Sequence, residues 1–155
     1  MSATADHVTT VEIDAPADAV HRALTTVEGL RAWWTTAVAA EPDGHLRLRW
    51  SNSDFLLIRV DRDVAPRELE WSFVAQRDGN LPQPDEWVGT RAAFRLSEAP
   101  RGTRLELTHH GLAPLDCATV CVGGWDRFLR QSLKPLVETG RGAPWQAAPP
   151  VDRQP

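Results

Sequence analysis

The sequence has no tyrosine, a single lysine (Lys134) and only two cysteines, Cys117 and Cys121. Two cysteines cannot build the disulfide framework that holds small secreted domains together. No apolar run approaches the ~20 residues needed to span a bilayer, so no membrane role is expected. Met1-Ser2-Ala3-Thr4-Ala5-Asp6-His7 lacks both a basic start and an apolar core and is read as carrying no signal peptide, which implies a cytoplasmic protein. A basic excess is missing too. The formal net charge is −4, which argues against a nucleic-acid partner. Phosphate loop, nucleophile elbow and dinucleotide fingerprint are all lacking, since Gly123-Gly124 stands as an isolated pair.

What remains is a chain of 155 residues, the length of one domain. Such a chain buries roughly 70% of its unfolded surface and needs no staple. Apart from Lys134 its basic residues are all arginine and alanine is plentiful, a bias that suits a GC-rich bacterial genome. Seven tryptophans supply broad apolar surfaces with few hydroxyls. Such surfaces pack cores and also line pockets, and composition leaves both readings open.

The hydrophobic pattern predicts a strand over 8–13, then a short helix from Pro16 to about Leu24 with Asp14 or Ala15 as its cap. A second short helix is expected over 28–34, its apolar face made by Leu30, Trp33 and Trp34. Period-two alternation then marks strands over 45–50, 54–61, 67–75, 87–97 and 103–110. Their inner faces carry Trp50, Ile58, Val60, Trp71, Phe73, Val88, Thr90, Phe94 and His109; Phe55 and most arginines fall on the opposite, ion-paired face. A last amphipathic helix runs from 117–120 to about Glu138, and Pro135 should bend or weaken it. Residues 1–7 are expected to be flexible, 8–140 to form the domain, and 141–155 to be a Pro-rich tail, extended or disordered beyond Trp145.

This order predicts an α+β fold in which a twisted antiparallel six-stranded sheet wraps around a long C-terminal helix, with two short helices after the first strand. The sequence resembles the SRPBCC superfamily (START-like, helix-grip, Bet v-type), in the branch named for the activator of heat-shock protein 90 ATPase. The resemblance rests on Val11-Glu12-Ile13-Asp14-Ala15-Pro16, Leu30-Arg31-Ala32-Trp33-Trp34, Gly102 to Gly111, Gly124-Trp125-Asp126 and Glu138 to Pro144. It implies no obligatory cofactor or metal. The superfamily hosts carriers, cyclases, hydrolases and chaperone regulators, so the likeness bears on fold far more than on function.

Three functions compete. The first is binding of a small hydrophobic molecule in a Trp-lined cavity between sheet and terminal helix, by a monomer or homodimer that need not be an enzyme. The expected lining is Trp33, Trp34, Trp50, Ile58, Trp71, Phe73, Trp87, Thr90, Phe94, His109, Cys117, Cys121, Trp125 and Phe128. The second is a cyclase, dehydratase or hydrolase with His109 as acid/base in that cavity; the bland alternative for His109 is a structural hydrogen bond. The third is a module that acts on a chaperone ATPase. Cys117 and Cys121 read as buried free thiols; a metal site with His109 and His110 has the wrong spacing, and a mutual disulfide is not expected. The loop 76–86 is a candidate flap, and Gly124 is expected to let the helix approach the sheet closely.

Overall fold

The computed structural model describes residues 6–147 except 52 and 80. Alternation of apolar and charged residues produces strands where the pattern puts them, and chain order builds the sheet. The elements are β1 (His7–Ile13), α1 (Ala17–Thr25), α2 (Val27–Trp33), β2 (Ala37–Ala40), β3 (Leu46–Arg49), β4 (Phe55–Val64), β5 (Glu68–Arg77), β6 (Arg91–Ala99) and β7 (Gly102–His110), followed by α3 (Ala118–Phe128), a π-helical turn (Leu129–Leu133) and α4 (Lys134–Thr139). All pairings are antiparallel in the order β1-β7-β6-β5-β4-β3-β2, so β2 to β7 form a meander that β1 closes at one side.

Among the described residues the sheet has seven strands, not six. The addition, β2, is Ala37-Val38-Ala39-Ala40, which shows no apolar–polar alternation and becomes a strand by pairing with β3. The strand expected over 87–97 begins only at Arg91. Trp87 to Thr90 make a turn closed by Thr90 N–H on the Trp87 carbonyl (2.9 Å), with Gly89 at φ +90°, and Val88 is exposed. Val60 is exposed as well, although it pairs with the buried Trp71; β4 shifts register between Leu57 and Ile58 and between Val60 and Arg62. Pro16, rather than Asp14 or Ala15, is the N-cap of α1. His7, assigned to the flexible start, pairs with His109 in β1, while residues 1–5 lie outside the described residues.

The terminal helix is one rod with a change of gauge. It passes into the π turn just before Pro135, whose ring crowds the preceding turn and whose nitrogen cannot donate. Within that turn Ser132 Oγ donates to the Trp33 carbonyl (2.6 Å) and accepts from Ala143 N–H (2.8 Å). The rod, α2 and the tail therefore meet at one hydroxyl. The tail continues in contact: Trp145 N–H donates to the Trp34 carbonyl (2.8 Å) and its carbonyl accepts from Thr36 N–H (3.0 Å). The part of the expected tail beyond 147 lies outside the described residues.

Both sheet edges are guarded. Arg130 and Lys134 donate to the β1 carbonyls of Thr10 (3.0 Å) and Glu12 (2.7 Å), and Arg31 donates to Val38 of β2 (2.9 Å). The convex face carries the expected ion pairs, among them Arg59–Asp61 (2.7 Å), Arg62–Glu68 (3.0 Å) and Arg104–Glu12 (2.7 Å). Exposed pairs of this kind contribute little each, ~0–1 kcal/mol.

The junction of α1 and α2 depends on close approach. Thr26 caps α2 by accepting from Gly29 N–H (2.9 Å), and a Cβ on Gly29 would lie 2.7 Å from Ala23 Cα and 2.8 Å from the Arg22 carbonyl oxygen. Backbone cannot yield as a side chain can. Gly29→Ala is expected to lower stability by ~1–3 kcal/mol, read as a reduced midpoint in urea unfolding at unchanged slope.

Candidate functional site

The concave face presents Trp71 and Phe73 from β5, Phe94 from β6 and His109 from β7, all fully or nearly buried. Against them α2 ends in Trp33 and Trp34, and α3 contributes Trp125. Trp34 stacks on Trp33 (centroids 5.3 Å apart) and on Trp71 (5.8 Å), and tilts against Trp125 (5.3 Å). Trp125 stacks on Trp87 (5.5 Å), and Trp87 leans on Phe73 (4.8 Å). The space expected to be hollow is in large part filled by the protein's own indoles.

A smaller cavity of about 150 Å³ remains at the open end, between the start of α3 and the β5–β6 loop. Its walls are Trp34, Trp50, Phe55, Leu56, Gln76, Asp78, Leu81, Trp87, Val120, Cys121, Gly124, Trp125 and Phe128. Of the expected lining, Trp34, Trp50, Trp87, Cys121, Trp125 and Phe128 are brought together here. Trp33, Ile58, Trp71, Phe73, Thr90, Phe94, His109 and Cys117 are instead core residues that do not line this cavity. Phe55, assigned to the outer face, lines it because it opens β4 at the cavity mouth, where Arg47 also stacks on its ring (4.8 Å). Leu81 and Asp78 come from the loop proposed as a flap; nothing in strand alternation marks them. Gly124 is not a point of close approach: a Cβ there would meet nothing within 4 Å, so it adds open space.

His109 sits in a directional relay. An indole nitrogen can only donate, so Trp125 Nε1–H···Nδ1 of His109 (3.0 Å) fixes the imidazole as the neutral Nε2–H tautomer. Nε2–H then donates to Thr90 Oγ1 (2.8 Å), whose hydroxyl donates to the Trp87 carbonyl (2.7 Å). Every donor and acceptor of the ring is used. Burial, reinforced by the nearby His7 and His110 rings, pushes its pKa down to about 3. Glu86 accepts from the Cys117 N–H (2.8 Å).

The two cysteines are free and buried. Their sulfurs lie 2.6 Å apart, and Trp87 Nε1–H donates to Cys121 Sγ (3.2 Å). Burial raises the pKa of both thiols. Trp33 Nε1–H reaches the Ala23 carbonyl (2.7 Å), whereas Trp71 Nε1 is buried with no hydrogen-bond partner among the described residues.

The family model described as Activator of Hsp90 ATPase homolog 1-like protein matches residues 14–138. The chain belongs to this family. The match places it in the SRPBCC-type superfamily. Among solved structures it is similar to the Aha1 dimer from Colwellia psychrerythraea, at 26% identity over 88% of this chain and 98% of that one, with a TM-score of 0.73. Protein MLL2253 from Mesorhizobium loti shares the fold at 20% identity over 85% of this chain and 96% of that one (TM-score 0.69). DynU16, from the dynemicin biosynthetic locus, shares it at 21% identity over 90% of this chain and 49% of that one (TM-score 0.67). No curated protein matches the chain.

The relay has a consequence for acid stability. Between the ordinary histidine pKa of 6.5 and about 3, the unfolded chain binds a proton at position 109 that the folded chain refuses. Stability contributed by the neutral ring is complete above pH 6.5 and is lost as pH falls toward 3, at up to about 1.4 kcal/mol per pH unit. Urea unfolding at several pH values in this window should show a steeper decline for the wild type than for His109→Gln.

Proposed function

We propose that the protein binds a small, flat, apolar molecule about one aromatic ring in size. The reading is carried by the cavity of about 150 Å³ walled by Trp34, Trp50, Phe55, Trp87, Trp125 and Phe128. Drug-sized ligands need roughly 300–1,000 Å³, and an apolar cavity of about 150 Å³ suffices for benzene. Indole faces on several sides favour a planar guest, held by offset or edge-to-face contact. Gln76, whose Oε1 accepts from Trp87 N–H (2.9 Å), is the polar side chain at the wall nearest Trp87.

Acid–base catalysis by His109 is the weaker reading. Both ring nitrogens are engaged and the ring does not line the cavity. Action on a chaperone ATPase rests on the family's name alone; stoichiometric capture of such a chaperone by the pure protein would promote it.

Titration with indole or a substituted benzene should quench or shift tryptophan fluorescence and raise the melting temperature with occupancy, whereas a sterol or long-chain fatty acid should leave both unchanged. Gly124→Leu fills the cavity from a helical position where a side chain is also favoured by about 1 kcal/mol over glycine. This variant should lose the ligand response while remaining at least as stable as the wild type. A guest that binds it equally well would place the site elsewhere.

A further inference from the structure

We propose that Cys117 and Cys121 form a dithiol modification site, which a hydroperoxide arriving through the apolar cavity converts into a disulfide across the first turn of α3. The first observation is distance. The sulfurs are 2.6 Å apart, against ~2.05 Å in a formed disulfide. A regular helix holds residues four apart with Cβ atoms ~5–6 Å from each other, too far for a relaxed bridge. Cys117 escapes that limit because it is the N-cap residue, with ψ at −2°, and only Cys121 lies within the regular helix.

The second observation is the order of access. Cys121 lines the cavity, while Cys117 is fully buried and absent from the cavity wall. Cys121 is therefore the sulfur an oxidant meets, and Cys117 is the resolving thiol. The Cys121 thiolate attacks one peroxide oxygen, the O–O bond breaks, and the departing oxygen leaves as water or an alcohol after taking a proton. The resulting sulfenic sulfur is attacked by Cys117; the S–S bond forms as the S–O bond breaks and a second water leaves. Two thiols lose two electrons and two protons to one peroxide.

Burial shapes the rate. It keeps both groups as thiols at neutral pH, so the reaction is slow there and quickens as the solution becomes alkaline. The Trp87 indole that donates to Cys121 Sγ reports the change from inside the cavity wall.

The test treats the whole chain with hydrogen peroxide at mildly alkaline pH and reads intact mass and free thiols after denaturation. The expected product is monomeric, about 2 Da lighter, has lost both thiols and regains them with dithiothreitol. In Cys117→Ser the same treatment should instead add about 16 and then 32 Da at Cys121. Gains of oxygen at either cysteine in the wild type, a disulfide between chains, or persistence of both thiols at alkaline pH would each overturn the proposal; oxidation of the single methionine, Met1, is told apart by peptide mapping. The test is run on the protein without added ligand, so its outcome does not depend on the function proposed for the cavity.

Discussion

A seven-stranded concave face must be covered here by one broken rod and two short helices, and stacked indoles make up the difference. Trp34 is the keystone of that filling. It touches Trp33, Trp71, Trp125 and Trp50 at centroid distances of 5.3 to 6.2 Å, linking α2, β5, α3 and the end of β3. A buried indole removes roughly 150–250 Å² from water, an upper estimate of ~4–6 kcal/mol at the usual area coefficient. Few other side chains are large enough to span a gap between a curved sheet and a rod that cannot curve with it.

Filling a core with indoles brings N–H donors into apolar surroundings, and each leaves a mark on its neighbours. Trp33 spends its donor on a helix carbonyl, Trp125 on His109, and Trp87 on Cys121. The second of these sets the tautomer of the only imidazole in the core, and the third sets the sulfur geometry at the start of α3. Polar residues that resemble catalytic candidates in the sequence are thus partners recruited by tryptophan. Trp71 Nε1 is buried with no hydrogen-bond partner among the described residues, a cost of about 1–3 kcal/mol tolerated beneath Trp34 and Phe94.

Strand alternation made most of the sheet readable in advance, because one face meets the core and the other meets water. Leu69, Trp71 and Phe73, or Leu105, Leu107 and His109, are buried in the order their spacing implies. Where pairing rather than pattern decides, the reading failed. Ala37–Ala40 has no alternation to detect and becomes a strand by pairing with β3. Cavity residues were legible only in part, for a similar reason. Inner-face periodicity finds residues that face the rod, but a filled core has no void there; the open volume lies at strand ends and in the β5–β6 loop, where Phe55, Gln76 and Leu81 obey no period. The sulfur contact joins the N-cap residue of α3 to the residue one turn on, and spacing alone does not give the distance between the two sulfurs.

Kinship and cavity size pull in different directions, and cavity size is the better guide to a ligand. Structures sharing this fold at about 20% identity fix the path of the backbone and say nothing of how much of the sheet–helix gap is occupied. In this chain the side chains occupy most of it, so the remaining volume records a local decision. Gly123 and Gly124 stand side by side within α3, where each costs about 1 kcal/mol relative to alanine. Neither is demanded by packing, since a Cβ at either position would meet nothing within 4 Å. At Gly124 the missing side chain is cavity volume, bounded by Trp125 and Phe128 of the same helix. A core that stacks five indoles thus leaves this helical position empty next to them, and the space that remains is about 150 Å³.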